Sequence, residues 1–239
     1  FDLTGYKYVF GNPKSVLDAY KVTIIFSVAG TLGMIFFNSL MAYPLSRRDY
    51  RFRNALNFYF YFTCLFGGGL VPTYILYTQY LHLADTIWVY IIPGLVSAWN
   101  IFYIRASFQQ IPEEMIESAV LDGASEWRIL MTFMIPLSKP VLATLALSTF
   151  LGKWNDWMTS MLYINDRYEL ISLQYLLQRI MLNIKLLEQN SNGLVDLKSI
   201  PGETARMAMM FVVAGPALVI FPFFQKYFVK GMVIGSVKG

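Results

Sequence analysis

The sequence predicts an all-α protein that crosses a membrane about five times, and three observations predict it. Only 14% of the 239 residues are charged and 56% are hydrophobic, against about 25% charge in average soluble domains. The missing charge is concentrated: residues 22–43, 55–81 and 207–225 contain no Lys, Arg, Asp or Glu. Each run is close to or above the roughly 20 residues that a spanning helix needs. The basic residues sit at the ends of such runs, where orientation signals lie. Strands of a β-barrel would alternate over about 10 residues. A soluble fold would have to cover five helices that are apolar on all sides.

Along the chain, residues 1–18 mix aromatics, Gly and Pro13 and read as an outer-face loop, without the apolar core of a cleavable signal peptide. The first span covers residues 19–45. The strongly basic loop Arg47-Arg48-Asp49-Tyr50-Arg51-Phe52-Arg53 then marks the cytoplasmic side. The second span, 54–80, contains Gly67-Gly68-Gly69 and Pro72. Close helix packing is the simpler account of these glycines, and local unwinding is the other. The connection from His82 to Asp85 has no Lys or Arg and lies outside. The third span, 86–108, carries Pro93-Gly94 as a kink.

A polar insertion over 112–136, flanked by Arg105, Arg128 and Lys139, returns to the inside. The fourth span, 141–162, is interrupted by Lys153 and Asp156. Residues 164–203 form an outer-face loop. Within it, 170–187 places Leu173, Leu176, Leu177, Ile180, Met181 and Ile184 on one helix face. A turn is expected at Gln189 to Gly193, and Pro201-Gly202 precedes the last span, 207–225, which holds Gly215-Pro216 and Pro222. The tail with Lys226, Lys230 and Lys238 lies inside. This alternation puts the N-terminus outside. Together with a first residue that is Phe1 and not Met, it leads to the expectation of a sixth span upstream.

The insertion has the local signals of helix, tight turn, helix. Pro112 suits a first helical turn, and Glu113 and Glu114 favour the positive end of the helix dipole. Met115, Ile116, Ala119 and Val120 line one face. Gly123 is a natural stop, because it tolerates the left-handed conformation. Ser125 can cap a second helix, with Glu126 in its first turn and Trp127, Leu130, Phe133 and Met134 on its apolar side. An element anchored at both ends and tightly turned is stiff, and a stiff element can transmit force.

These residues resemble the EAA loop of bacterial ABC importer permeases, whose pattern is E-A-A, three residues, G, nine residues, I-x-L-P. Here the pattern reads Glu117-Ser118-Ala119, then Gly123, then Phe133-Met134-Ile135-Pro136, with every spacing kept. Ser118, Phe133 and Ile135 are mild departures. Ile111-Pro112-Glu113-Glu114, Asp122-Gly123-Ala124-Ser125 and Trp154-Asn155-Asp156 look like the maltose-type carbohydrate importers. Gly67 to Tyr74 is similar to the subgroup for lipo-oligosaccharides and alginate. The resemblance covers about residues 15–235.

It implies one permease domain over 1–239 of the type I (MetI-like) fold, with a cytoplasmic coupling helix. Glu117, Ser118, Ala119, Asp122, Gly123 and Ala124 would form the contact with an ATPase. The implied partners are a second, homologous permease, two cytoplasmic ATPase subunits that hold ATP and Mg, and an extracytoplasmic solute-binding protein. The implied cargo is a carbohydrate, in this subgroup an oligosaccharide with an acidic, alginate-like chain as candidate. The implied location is the bacterial inner membrane.

For the substrate path the residues offer Lys153, Trp154, Asn155 and Asp156, with Asn100 as a weaker candidate beside Trp99 and Tyr103. Ionisable groups at membrane depth are costly unless they face partners or water. Aromatic rings suit sugar faces and Asn suits hydroxyls. Two other readings stay open: Trp at the membrane interface, or a structural bridge in which Lys153 and Asp156, three apart, pair.

Other classes find little support. No G-x-x-x-x-G-K-[ST] loop occurs, so ATP would be hydrolysed elsewhere. The only histidine is His82 and the only cysteine Cys64, with no acid pair or nucleophile motif, which argues against an enzyme, a metal site or a disulfide framework. The net charge of +4 lies at segment ends and does not read as a nucleic-acid surface. An ion-coupled secondary transporter is the alternative. It would call for inverted repeats and several intramembrane carboxylates, and Asp156 is a single one.

Overall fold

The computed structural model describes residue 11, residues 13–190, residue 204, residues 207–215 and residue 218, and all regular structure among them is helical. The turn at 191–193, Pro201-Gly202, the end of the last span and the basic tail lie outside the described residues. Helix α1 (Pro13–Ser46) starts six residues earlier than the apolar run implies, because Pro13 is compatible with a first helical turn and Asp18 pairs with Lys21 at 3.7 Å one turn on. Residues 13–18 are therefore helix and not loop.

Helix α1 exposes large apolar side chains and buries polar ones beside apolar ones such as Phe26 and Met34. Thr23, Ser27, Asn38 and Ser39 are buried, while Ile24, Ile25, Leu32 and Phe36 are exposed. Water would penalise so many exposed apolar side chains; lipid would not. Among the described residues α1 is the one unbroken helix long and apolar enough to cross a membrane. Three bent pairs reach that length if each is one span.

The first pair is α2 (Arg53–Leu65) with α3 (Leu70–Ile75), which runs into a π-helical turn at Leu76–Tyr80. The chain bends by 110° between them. The glycine triplet is the site of this break. A Cβ on Gly67 or Gly69 would meet nothing within 4 Å, and Gly69 has a φ of +82°, where side chains are disfavoured. The second pair is α4 (Trp88–Ile91), extended by a 3-10 turn at Ile92–Gly94, with α5 (Ala98–Phe108); it bends by 48° just after Pro93-Gly94.

Helices α6 (Glu113–Leu121) and α7 (Glu126–Ile129) form the insertion. The second arm continues through a π turn (Leu130–Met134) and α8 (Ile135–Leu137), then bends by 78° into α9 (Lys139–Trp154). Helix α10 (Met158–Tyr163) follows the break at 155–157, and α11 (Leu173–Asn190) is the amphipathic helix of the 164–203 loop. Its apolar face packs inward at Leu173, Leu177 and Ile184.

Contacts divide the chain into two units, residues 1–27, 74–90 and 151–222 in one and 28–73, 91–150 and 223–239 in the other. The second unit contains a core built from the end of α1 (Ala42, Tyr43, Leu45), α5 (Ile101, Ile104, Phe108), the insertion (Ile116, Ala119, Ile129, Leu130, Met134) and Leu142. Within the same unit, Asn38 repairs the break between α4 and α5. Its Nδ2 donates to the carbonyls of Met34 at 2.6 Å and Leu95 at 2.8 Å, and its Oδ1 accepts the Ser97 N–H at 2.9 Å. Broken backbone at membrane depth needs such partners.

Candidate functional site

The insertion of the second unit is a rigid elbow, and its rigidity is local before it is tertiary. Asp122 ends α6 with its N–H on the Ser118 carbonyl at 3.0 Å. Gly123 takes a φ of +79°, its N–H donates to Val120 O at 2.9 Å, and the Ala124 N–H reaches back to Ala119 O at 2.9 Å. These are the 5→2 and 6→1 bonds of a Schellman motif, which satisfies carbonyls that a helix end otherwise leaves open. The Ser125 hydroxyl then accepts the Arg128 N–H at 3.3 Å and caps α7. Pro112 stands at the N-cap of α6 rather than inside its first turn, with Glu113 and Glu114 following as the dipole favours.

Tertiary contacts hold both arms. Ile116 and Ala119 of α6 and Ile129 and Leu130 of the second arm enter the core against Tyr43, Leu45, Ile104 and Phe108. The Tyr43 hydroxyl donates to the Glu126 carboxylate. Arg48 approaches Glu113 at 3.6 Å across an exposed surface, which adds little. The Phe36 and Trp127 rings meet edge to face at 6.5 Å.

Of the six residues singled out for coupling, Ala119 is buried, Ala124 is half-buried, and Glu117, Ser118, Asp122 and Gly123 are exposed. Glu117 and Asp122 form no ion pair among the described residues. Leu121, one turn beyond Glu117 on the same face, is 88% exposed. Sequence reasoning passed over Leu121. An apolar side chain beside two carboxylates was its signal. Together these residues make an outward patch with an acidic rim and a leucine at its centre, on a support that cannot flex freely.

The first unit receives the substrate-path candidates, and it uses most of them structurally. Trp154 is 1% exposed and its indole N–H donates to Val213 O at 3.1 Å. The ring is thus packed inside the unit. Lys153 donates from Nζ to Tyr90 O at 2.7 Å. Asp156 accepts the Thr159 N–H at 3.0 Å, next to the start of α10, and its own carbonyl accepts the Ser172 hydroxyl at 2.7 Å. No ion pair joins Lys153 and Asp156. Asn155 is exposed, with its amide on Leu151 O at 2.9 Å. Asn100, in the second unit, is half-buried near the start of α5.

Around these residues runs a network that sequence reasoning missed. Tyr90 bonds Ser160 at 2.7 Å and the Leu170 carbonyl at 2.9 Å. Ser160 bonds Ser172 at 2.9 Å, and the Thr23 hydroxyl accepts the Leu173 N–H at 2.9 Å. Phe26 stacks on Tyr90 at 4.4 Å. The same unit clasps two connections through Asp85, whose φ is +53°. Its carboxylate accepts the N–H groups of Asn165, Asp166 and Arg167 at 2.8, 3.0 and 3.3 Å, and its own N–H donates to Tyr163 O at 2.9 Å. Desolvation opposes ionisation of this carboxyl, but the three N–H donors and the Arg167 charge outweigh it and hold the group below the usual carboxylate value.

A protein-family profile described as "Binding-protein-dependent transport system inner membrane component" matches residues 22–234. The protein LplC of Bacillus subtilis (strain 168) is 40% identical over 242 residues, covering 100% of this chain and 80% of its own. The polygalacturonan/rhamnogalacturonan transport system permease protein YtcP of the same organism is 38% identical and covers 100% and 82%. Among solved structures, the chain resembles one from a crystal structure of a bacterial ABC transporter involved in the import of the acidic polysaccharide alginate. The TM-score is 0.79 at 29% identity, over 95% of this chain and 80% of that one.

Proposed function

Since the chain belongs to the family of binding-protein-dependent transport system inner membrane components, the permease subunits of ABC importers, we propose that it carries an oligosaccharide across the inner membrane by alternating access, with an acidic, uronate-containing chain as cargo. Family membership makes it a transport subunit and not an enzyme. Hydrolysis of ATP belongs to separate subunits. What supports the acidic cargo is that YtcP is named for polygalacturonan and rhamnogalacturonan and that the alginate importer shares the fold.

The coupling role rests on one observation: a Schellman-locked elbow at Gly123 that presents Glu117, Leu121 and Asp122 outward from a buried base. In this reading the elbow spans 112–136 and lies in the cytoplasm, where two ATPase subunits hold ATP and Mg. Glu117 and Asp122 accept hydrogen bonds from one ATPase, Leu121 fills an apolar depression in it, and Ser118, Gly123 and Ala124 allow close approach. Closure of the ATPases pulls on the elbow, and the elbow moves the spans with which it shares a core. A second permease completes the pathway, and a solute-binding protein delivers the cargo to the outer face, where 164–203 lies. Within the path, Asn155 is the member of the Lys153 to Asp156 set with a free outward face. Neither the family match nor the relatives favour the alternative of ion coupling.

Uptake tests the reading. The complete importer in proteoliposomes, with ATP inside and its binding protein outside, should accumulate oligogalacturonide or alginate oligosaccharide in preference to a neutral oligosaccharide of equal length. Accumulation that needs no ATPase subunit, or a preference for the neutral chain, would count against it.

A further inference from the structure

The second unit contains a cleft of about 640 Å³ between the basic loop and the first turn of α6, lined among others by Arg47, Arg48, Arg53, Gln110, Glu113 and Glu114. Two of its three arginines are paired with carboxylates. Arg47 pairs with Asp49 at 3.3 Å and Arg48 with Glu113 at 3.6 Å. Glu114 is exposed and makes no ion pair among the described residues. Arg53 likewise has no acidic partner among them, and its Nε is sealed from solvent without a hydrogen-bond acceptor. Arg105 donates to Asn57 Oδ1 at 2.7 Å, yet its Nε is equally sealed and unpartnered. Arg105 is not part of the cleft lining, so Arg53 is the arginine of the two that a ligand there would meet. A buried donor without an acceptor is costly, and an arginine without an acidic partner is suited to recognise an oxyanion.

The surroundings say which oxyanion. Arg53 opens α2, a helix with no buried residue, on which Phe58, Tyr59, Tyr61 and Phe62 are all exposed. Arg53 thus lines the charged cleft and also opens a helix with an apolar aromatic face. Arg53 also ends the loop that joins two apolar runs, at the depth where lipid headgroups lie. We propose that the cleft binds a phosphate group, with Arg53 as its main ligand and Arg48 at the mouth, and that the phosphate is the headgroup of an anionic phospholipid whose acyl chains lie along α2. The bound headgroup neutralises Arg53 beside the first turn of α6. The importer's elbow therefore responds to the lipid composition of the leaflet around it. This rests on the cytoplasmic placement of the basic loop proposed above. Reaction of Arg48 with a membrane-impermeant reagent from each side of sealed vesicles tests that placement separately.

The test uses the unaltered importer complex in nanodiscs of phosphatidylcholine alone or with phosphatidylglycerol. Modification of Arg53 by phenylglyoxal, read by mass spectrometry, should slow about tenfold or more when phosphatidylglycerol is present, as a charge-assisted contact requires. Modification of Arg51 should not change. Millimolar inorganic phosphate added to phosphatidylcholine discs should give no protection. If it protects as well as the lipid does, the phosphate site stands and its ligand is a soluble anion. Equal modification in all three conditions overturns the proposal. In native mass spectrometry, Arg53→Gln should lose one retained phosphatidylglycerol while Lys139→Gln keeps it; full retention by Arg53→Gln also overturns it.

Discussion

Replacing Gly123 by Ala isolates the geometry of the elbow from its packing. A Cβ at this position would meet no atom within 4 Å, so the substitution adds no clash inside the chain. What it adds is the cost of holding a side chain at a φ of +79°, about 1–2 kcal/mol. That energy competes with the two bonds of the Schellman turn, Gly123 N–H to Val120 O and Ala124 N–H to Ala119 O. A shift of this size lowers the population of the native elbow about 5- to 30-fold relative to open forms. The core beneath it, from Ile116 to Leu142, stays intact. Asparagine tolerates the left-handed region better than alanine although it is larger. Sugar imported per ATP hydrolysed, measured in proteoliposomes alongside assembly of the complex, should therefore fall several-fold for Gly123→Ala and recover for Gly123→Asn, with assembly preserved in both. Damage that grows with side-chain size, so that Asn is worse than Ala, would show that clearance from a partner matters at Gly123 and that backbone conformation does not.

Three further outcomes are expected. Asn38→Ala removes the groups that serve Leu95 O and Ser97 N–H at a broken helix; it should cost about 2–4 kcal/mol of stability, read as a lowered melting temperature of the purified permease in detergent. Glu117→Ala should leave the chain's own fold unchanged and reduce ATP-dependent uptake about tenfold, because its carboxylate makes no ion pair among the described residues; unchanged uptake together with unchanged assembly would remove it from the coupling surface. The folded carboxyl of Asp85 titrates below the ordinary carboxylate value, so its charge contributes stability that is complete above that ordinary value and is lost as the pH falls through the lower, folded one. Asp85→Asn should accordingly melt earlier than the parent at neutral pH, and the gap should close in acid; a gap that widens on acidification would contradict the clasp.

Local chemistry explains what could be read from the chain alone. The stop at Gly123, the cap at Ser125 and the kink after Pro93-Gly94 each depend on residues within a turn of one another, and each is found in place. The harder features depend on distant partners. Whether Gly67 to Gly69 packs or unwinds is decided by what surrounds it, and within this chain a Cβ on Gly67 or Gly69 would meet nothing within 4 Å. Trp154 reads as a sugar platform until Val213 is known to take its N–H. Lys153 and Asp156 stand one turn apart and suggest a pair, yet Tyr90, Thr159 and Ser172 claim them separately. Asn38 drew no attention because a count of charges ignores neutral amides. Its partners lie 57 and 59 residues further on.

Site-specific labelling tests the central claim most directly. A cysteine placed at Glu117, in a chain whose Cys64 is changed to Ser, should react with a membrane-impermeant maleimide in inverted vesicles and not in intact cells. It should also cross-link to the ATPase subunit within the assembled importer. Reaction from the external medium, or normal ATP-driven import by a complex in which that cysteine never comes within cross-linking reach of an ATPase, would contradict the account.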